Sequence, residues 1–528
     1  MRSVPRPRIS GETALFWLLL GLHLLPVWLF PFFPSQDGPG HQALAFILRQ
    51  YGEPGAGLLR QYYLPNHQAL PNWFVFFLMS KALGFVPVPM AEKILLTAYV
   101  ALLPLSARYA LRAVSPRAGF LAVLAFPFVY NFTAHMGFFN FCFSLPAFFF
   151  AAGFWLKRPE RMGPLRVAGL ALLILWVYFC HPVTLAVTVT TLGTLAGWRM
   201  LTGPDRWAGA RRWLTGPVVA SLPALILMGS FIVARTGSKV SMLPLWVKIK
   251  HLAGLYSLVS LTRWTIPLAL ALAVLFYAVA LLCLKDRGRR GVRPGDGFLI
   301  AAGVLALADL AAPSDLSGGG FINHRLALFP FLALLLWFGT FEHSPARRRG
   351  IQIAGAAIAV AFLSLFAAKY AEIDDGLSEI AAAGRYVEPD HTFLFLSYAH
   401  QGEGADGGPI AFRTWPFVHA GAYIATEKRL VDLSLYEAGE NYFPIYFNPR
   451  LDPFRHLAAV PLGIEAQPPR VDLAGYAAKT GGRVDYVMLW GSAAARDAAT
   501  QGQLRAAYQE IYAAPDGRVR LYRSRGTP

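Results

Sequence analysis

Cysteine is nearly absent: Cys142, Cys180 and Cys283 are the only three in 528 residues. None belongs to a CxxC or Cys/His cluster, which excludes a disulfide framework and a cysteine metal centre. All three stand inside apolar runs, where a thiol behaves as a small buried apolar group. Charge is scarce as well, at 15% of residues, and acid is scarcest in the first two thirds of the chain. Residues 1–369 hold 11 Asp+Glu against 33 Lys+Arg, whereas 370–528 hold 19 against 15. The net charge of +18 therefore belongs to loops between apolar runs. That is the pattern of membrane topology and excludes a nucleic-acid-binding surface. There is no long-period repeat and no pair of matched broken helices of the transporter kind. The Gly-rich 402–408 lacks nucleotide-binding spacing and reads as a loop.

What is present is apolar length. The chain is 55% hydrophobic with a mean hydropathy of +0.43. Apolar runs of about 17–22 residues, enough to cross a bilayer core, recur as far as Ala368. The first, 14–33, follows Arg2, Arg6 and Arg8 and lacks a small-residue cleavage site, so it reads as a retained helix. Basic clusters mark the cytoplasmic side: Arg112/Arg117, Lys157–Arg166, Arg199–Arg212, Lys285–Arg293 (with Arg289 and Arg290) and Arg347–Arg349. The alternation is met by about eleven spans, at 14–33, 92–111, 118–131, 138–156, 166–180, 183–199, 215–234, 265–284, 298–312, 324–341 and 350–369. Residues 72–84 are too short to cross and carry Lys81, so they are expected as an interfacial helix in the first outer loop, 34–91. The expected fold is an α-helical polytopic membrane protein, N-terminus inside. A soluble α/β domain at 370–528 follows on the outside, with strands at 392–398, 429–435, 484–490 and 518–523. Helical stretches are expected near 416–426, 472–480 and 500–512.

Acid scarcity narrows the search for chemistry. On the outer side of residues 1–369 the carboxylates are Asp37, Glu53, Glu92, Asp309 and Asp315. Asp37 follows the first span on a Pro/Gly-bracketed turn, Pro34 to Gly40, with His41 one helical turn on. Its position also suits a plain N-cap of a helix over 39–50. At the outer end of a late span stand Asn323, His324 and Arg325, after Gly318–Gly320. A guanidinium there suits an anion, phosphate above all, or else a headgroup anchor or a pair with Asp309. The outer connection 235–264 is basic against the topological trend, with Lys239, Lys248, Lys250 and His251. Contact with anionic headgroups or a lipid phosphate would account for it. Asn131, His135, Asn140 and His181 are further polar groups at outer turns.

One span, an acidic residue opening the outer loop, surface helices, then alternating spans: this plan resembles the GT-C superfamily of polyprenyl-phosphate-sugar-dependent glycosyltransferases. That superfamily includes protein O-mannosyltransferases and lipid A aminoarabinose transferases. The resemblance is carried by Gln36-Asp37-Gly38-Pro39-Gly40-His41 through Arg49, by Leu64-Pro65-Asn66-His67 leading into 72–84, and by Asn323-His324-Arg325. It implies Asp37 as the catalytic carboxylate, and His41, Lys248, Lys250, His251, Asn323, His324 and Arg325 around the donor phosphate. The partners implied are a polyprenyl-phosphate-linked sugar, a lipid, glycan or protein acceptor, and membrane lipids, with inversion at the sugar carbon. The sequence departs from the family where its acidic pair Asp-Glu is here Asp37-Gly38. Neither metal dependence nor acceptor carries over, and a divalent metal stays open as cofactor. The competing class is a lipid or polysaccharide transporter or flippase.

Overall fold

The computed structural model describes residues 10–203, 206–233, 240–288, 291–316, 319–404, 406–461 and 463–526. Arg2, Arg6, Arg8, Lys239, Arg289, Arg290 and Gly318, used in the topology and glycine-run readings, lie outside them.

Helices α1 (Gly11–Leu29), α2 (Gly38–Gln50), α3 (Phe74–Ala82) and α4 (Val88–Val114) lead into a 3-10 helix, Pro116–Phe128. Then come α5 (Phe139–Lys157), α6 (Pro164–Cys180), α7 (Pro182–Thr202), α8 (Thr215–Val233), α9 (Leu245–Ala253) and α10 (Thr265–Gly288). They are followed by α11 (Gly297–Ala311), α12 (Ile322–Leu326), α13 (Leu328–Phe338) and α14 (Pro345–Ala383). Among the described residues, seven helices are long and apolar enough to cross a membrane, and shorter apolar helices lie at 116–128, 164–180 and 322–338. Helix α7 is long enough too, but its threonines and Arg199 dilute its hydropathy. The 13-residue 3-10 helix rises about 2.0 Å per residue and so reaches ~26 Å, near the ~30 Å of a bilayer core.

Apolar side chains face outward around this bundle: Ile226 is 67% exposed, Leu281 67% and Leu307 68%. Such a rim is unstable in water and natural in lipid. The interior, conversely, keeps polar groups such as Ser144 and Thr184, which bond each other at 2.6 Å. This is a helical architecture fit for a membrane.

The helix expected at 72–84 has nine residues, ~14 Å of rise, and leaves Phe77 and Leu78 exposed. Helix α2 is different from the expected surface helix. Gly38 through Ala45 are all buried, with α3 and helix α15 (Gly421–Glu427) packed against it. Helix α14 runs unbroken through Lys369 for 39 residues, so the change in composition there is not a break in secondary structure.

Beyond it lie β1 (Thr392–Ser397), β2 (Val431–Asp432), β3 (Tyr486–Trp490), β4 (Tyr508–Ala513) and β5 (Val519–Ser524). They form one sheet in the order β2-β1-β3-β5-β4. Strand β1 runs parallel to β2 and β3, and β5 is antiparallel to both β3 and β4. Strands β1 and β3 are buried throughout, as their unbroken apolar runs require of central parallel strands. The helix expected over 500–512 ends at Ala507, and 508–513 is an edge strand instead. Tyr508, Ile511 and Tyr512 fit a pleated surface, and β5 supplies the partner that local periodicity does not reveal.

Residues 34–91 and the C-terminal part are stitched together. Tyr63–Pro65 pairs antiparallel with Ile445–Phe447. Trp73 Nε1 donates to the Tyr442 carbonyl at 3.0 Å, and the Tyr63 hydroxyl to that of Asp432 at 3.0 Å.

Candidate functional site

The turn 131–137 fixes the backbone at Asp37. Gln36 N donates to His135 O at 2.9 Å and Asp37 N to Met136 O at 3.1 Å. Gly137 closes that turn at φ +79°, where a Cβ would stand 2.5 Å from Gly38 N. Asn131 Oδ1 accepts from the amides of Thr133 and Ala134, and His135 is held between Ser260 Oγ and Tyr370 Oη, each at 2.7 Å. These two polar residues are structural supports of the turn.

Asp37 occupies the N-cap position of α2, yet its side chain accepts no bond from that helix. Its carboxylate instead accepts from Tyr436 Oη at 3.1 Å and Gln36 Nε2 at 3.2 Å. The capping role that the sequence also allowed is thus unfilled. Burial pushes the Asp37 carboxyl up to about 7, opposed by the bonds from Tyr436 and Gln36 and by the Arg325 charge.

Asp37 and His41 line a cavity of about 760 Å³ together with Arg325, Asn140, His181, His419, Tyr436 and Glu465. A second, apolar stretch of its wall comes from Val183 and Ala186 of α7 and Met228, Phe231 and Ile232 of α8. Arg325 lies over the Phe138 ring at 4.3 Å and donates through Nη1 to the Gly320 carbonyl. Asp309 accepts from Asn323 Nδ2 at 3.2 Å, and no ion pair joins it to Arg325 among the described residues. Asn140 Oδ1 accepts from Val75 N at 2.8 Å, while His181 Nδ1 accepts from Val183 N at 3.2 Å.

The remaining expected residues stand elsewhere. Buried Lys248 donates to the carbonyls of Leu310 and Ala312, closing the C-terminus of α11. Lys250 is exposed, and His251 stacks on Tyr256 at 4.3 Å. His324 accepts from Arg413, whose guanidinium lies between the rings of Phe132 at 4.2 Å and Tyr256 at 4.0 Å. Asn323 serves Asp309. None of these five lines the cavity. Of the other acids, Glu53 pairs with Arg49 in the open, Asp315 accepts from Ser241 and Ser314, and Glu92 is buried with its Oε1 beside Gly38.

Two carboxylates come from the C-terminal part. Glu437 is fully buried against Gly40, and neither of its oxygens accepts a hydrogen bond among the described residues. His41 Nε2 stands 4.0 Å away. Burial holds His41 neutral, down to about 3, and burial then the Asp37 charge keep Glu437 well above the usual carboxylate range. With the imidazole neutral, the contact is not an ion pair. Glu465, at 4.0 Å from His419 Nε2, is pushed up to about 8 by burial and then by Asp37. No sequence pattern marks Glu437 or Glu465, because both sit in ordinary globular composition far from the first outer loop.

Chemically, the site joins a raised-pKa carboxyl, a buried guanidinium and an apolar wall in one cavity. Among the described residues no group of three or more His, Cys, Asp or Glu is placed to hold a metal ion. Compared with known proteins, the chain matches no protein-family model and no curated sequence.

Proposed function

We propose that the protein is an integral membrane glycosyltransferase of GT-C type, moving a sugar from a polyprenyl-phosphate donor to an acceptor hydroxyl at the outer face. The observation that carries this reading is the shared cavity of Asp37 and Arg325, with apolar α7 and α8 residues as part of its wall. Ile232 is 59% exposed on the bundle flank, so that side offers a lipid tail a path from the bilayer. In this reading the bundle has eleven spans and the sheet domain is extracytoplasmic.

The chemistry follows from the groups present. The acceptor oxygen attacks the anomeric carbon and its proton passes to Asp37 as the carbon–phosphate-oxygen bond breaks. The electron pair leaves on the phosphate, where Arg325 stabilises the developing charge. One displacement inverts the sugar carbon. A carboxyl titrating near 7 is a stronger base than an ordinary aspartate, which suits it to a hydroxyl proton. Turnover of a polyprenyl-phosphate sugar by purified protein, abolished in Asp37→Asn, is the test. Transport of a lipid-linked sugar without transfer would support the flippase reading instead.

A further inference from the structure

The C-terminal sheet has a feature the reaction above does not use. Strand β1 leads through α15 to β2 on one side, and the chain then returns to β3 on the other. In a parallel sheet, two connections leaving in opposite directions open a crevice beyond the carboxyl ends of the adjacent strands. A groove of about 480 Å³ lies at that place, lined by Gln401 and Glu403 after β1, Ser492 after β3, and Gln467 from the intervening connection.

The lining selects a chemistry. Among the described residues it contains no Lys, Arg or His and a single carboxylate. The nearby guanidiniums already have partners: Arg496 donates to Gly491 O at 2.7 Å, and Arg518 to Glu403 O at 3.0 Å and to the carboxylates of Glu379 and Asp516. A phosphate or carboxylate ligand finds no counter-charge there. Hydroxyl groups do find partners. Glu403 Oε2 accepts from Ser492 N at 2.9 Å, and Gln467 Nε2 donates to Tyr398 O at 3.2 Å. Glu403 Oε1, Gln467 Oε1 and the Gln401 amide are left to offer both acceptors and donors, the mixture that ring hydroxyls match. Gly402, at φ +79°, brings the chain to the groove where a Cβ would strike Phe417 at 2.4 Å.

We infer that this groove is a second binding site, for an uncharged polyhydroxylated ligand of the saccharide class. It borders the large cavity: Glu465 lines one and Gln467 the other, and His400, bonded to Glu465 O at 2.9 Å, packs on the Trp415 ring that lines the large cavity. The inference rests on the groove itself and does not require Asp37 to be catalytic.

Saturation-transfer NMR on the full chain in detergent tests it, with cellobiose and chitobiose against glucose 1-phosphate at millimolar concentration. Transfer to a neutral disaccharide is expected, with affinity lowered about tenfold or more in Gln401→Ala/Gln467→Ala, each loss being a hydrogen bond or two. Glu403→Gln keeps the acceptor for Ser492 N and isolates the charge; it should weaken the disaccharide by less. Asp37→Asn should leave binding unchanged. No transfer to either disaccharide, stronger transfer to glucose 1-phosphate, or an unaltered folded double variant would overturn the site. Binding that disappears in Asp37→Asn would place the ligand in the large cavity and overturn it equally.

Discussion

Gly40 and Glu437 are in direct contact: a Cβ on Gly40 would stand 2.3 Å from Glu437 Oε1. The absence of a side chain at Gly40 lets a C-terminal carboxylate approach Asp37 and His41. Gly40→Ala should therefore push Glu437 and α2 apart. The expected cost is roughly 1–3 kcal/mol of stability, with a parallel loss of turnover. Thermal unfolding of the purified variant measures the first, and an unchanged melting temperature would show that the contact gives way freely.

Asp37→Asn keeps volume and removes the base. Turnover should fall at least ~10²-fold, the usual scale of a lost general base. In the parent, kcat/KM should rise with pH through about 7, where Asp37 ionises. The stability sign is opposite. The unfolded chain releases this proton near 3.8 and the folded chain near 7, so folded stability falls as pH rises between them. Denaturation at pH 4 and pH 8 should find the Asp37→Asn variant gaining on the parent by on the order of 1 kcal/mol or more. A gap that does not widen would remove the buried-carboxylate assignment.

Arg325 and Lys248 separate two readings of the basic residues. Arg325→Ala should weaken binding of a polyprenyl-phosphate donor by ~10–100-fold, the worth of a charged hydrogen bond or two. Lys248→Met loses two bonds to the end of α11 and should cost ~1–3 kcal/mol in stability while donor affinity stays the same. Equal losses of donor affinity in both would sink the distinction.

Topology is open to reporter fusions. Glu160 should report the cytoplasm, and Asp375 and Pro87 the opposite side. A cytoplasmic Pro87 would make Phe74–Ala82 a crossing segment and reverse everything after it.

The C-terminal strands at 392–397, 486–490 and 519–524 and every long apolar helix were legible in the chain, since each announces itself by local period and length. Edge strand 508–513 was not, because its pairing partner lies after it and its own pattern fits a helix as well. Asp37 and Arg325, which line one cavity, stood out in the sequence for a related reason: a carboxylate and a guanidinium are expensive next to a bilayer. The same reasoning brought forward Lys248 and His324, which stand on a helix end and beside Arg413, outside that cavity. A charged group near lipid must be satisfied, but whether by ligand, helix end or aromatic ring depends on what folds against it.

By itself the sequence determined the apolar helices fit for a membrane, the gathering of basic residues in the loops between them and the place of Asp37 on its turn, all properties of contiguous residues. Only the tertiary structure decided what surrounds that carboxylate. Tyr436 donates to it, Glu437 brings a buried carboxyl and Glu465 a half-buried one near it, and Gly137 pins its backbone, across separations no local pattern encodes. Burial then sets the proton affinity of Asp37, because desolvation is a property of the whole packed surround and not of the residue.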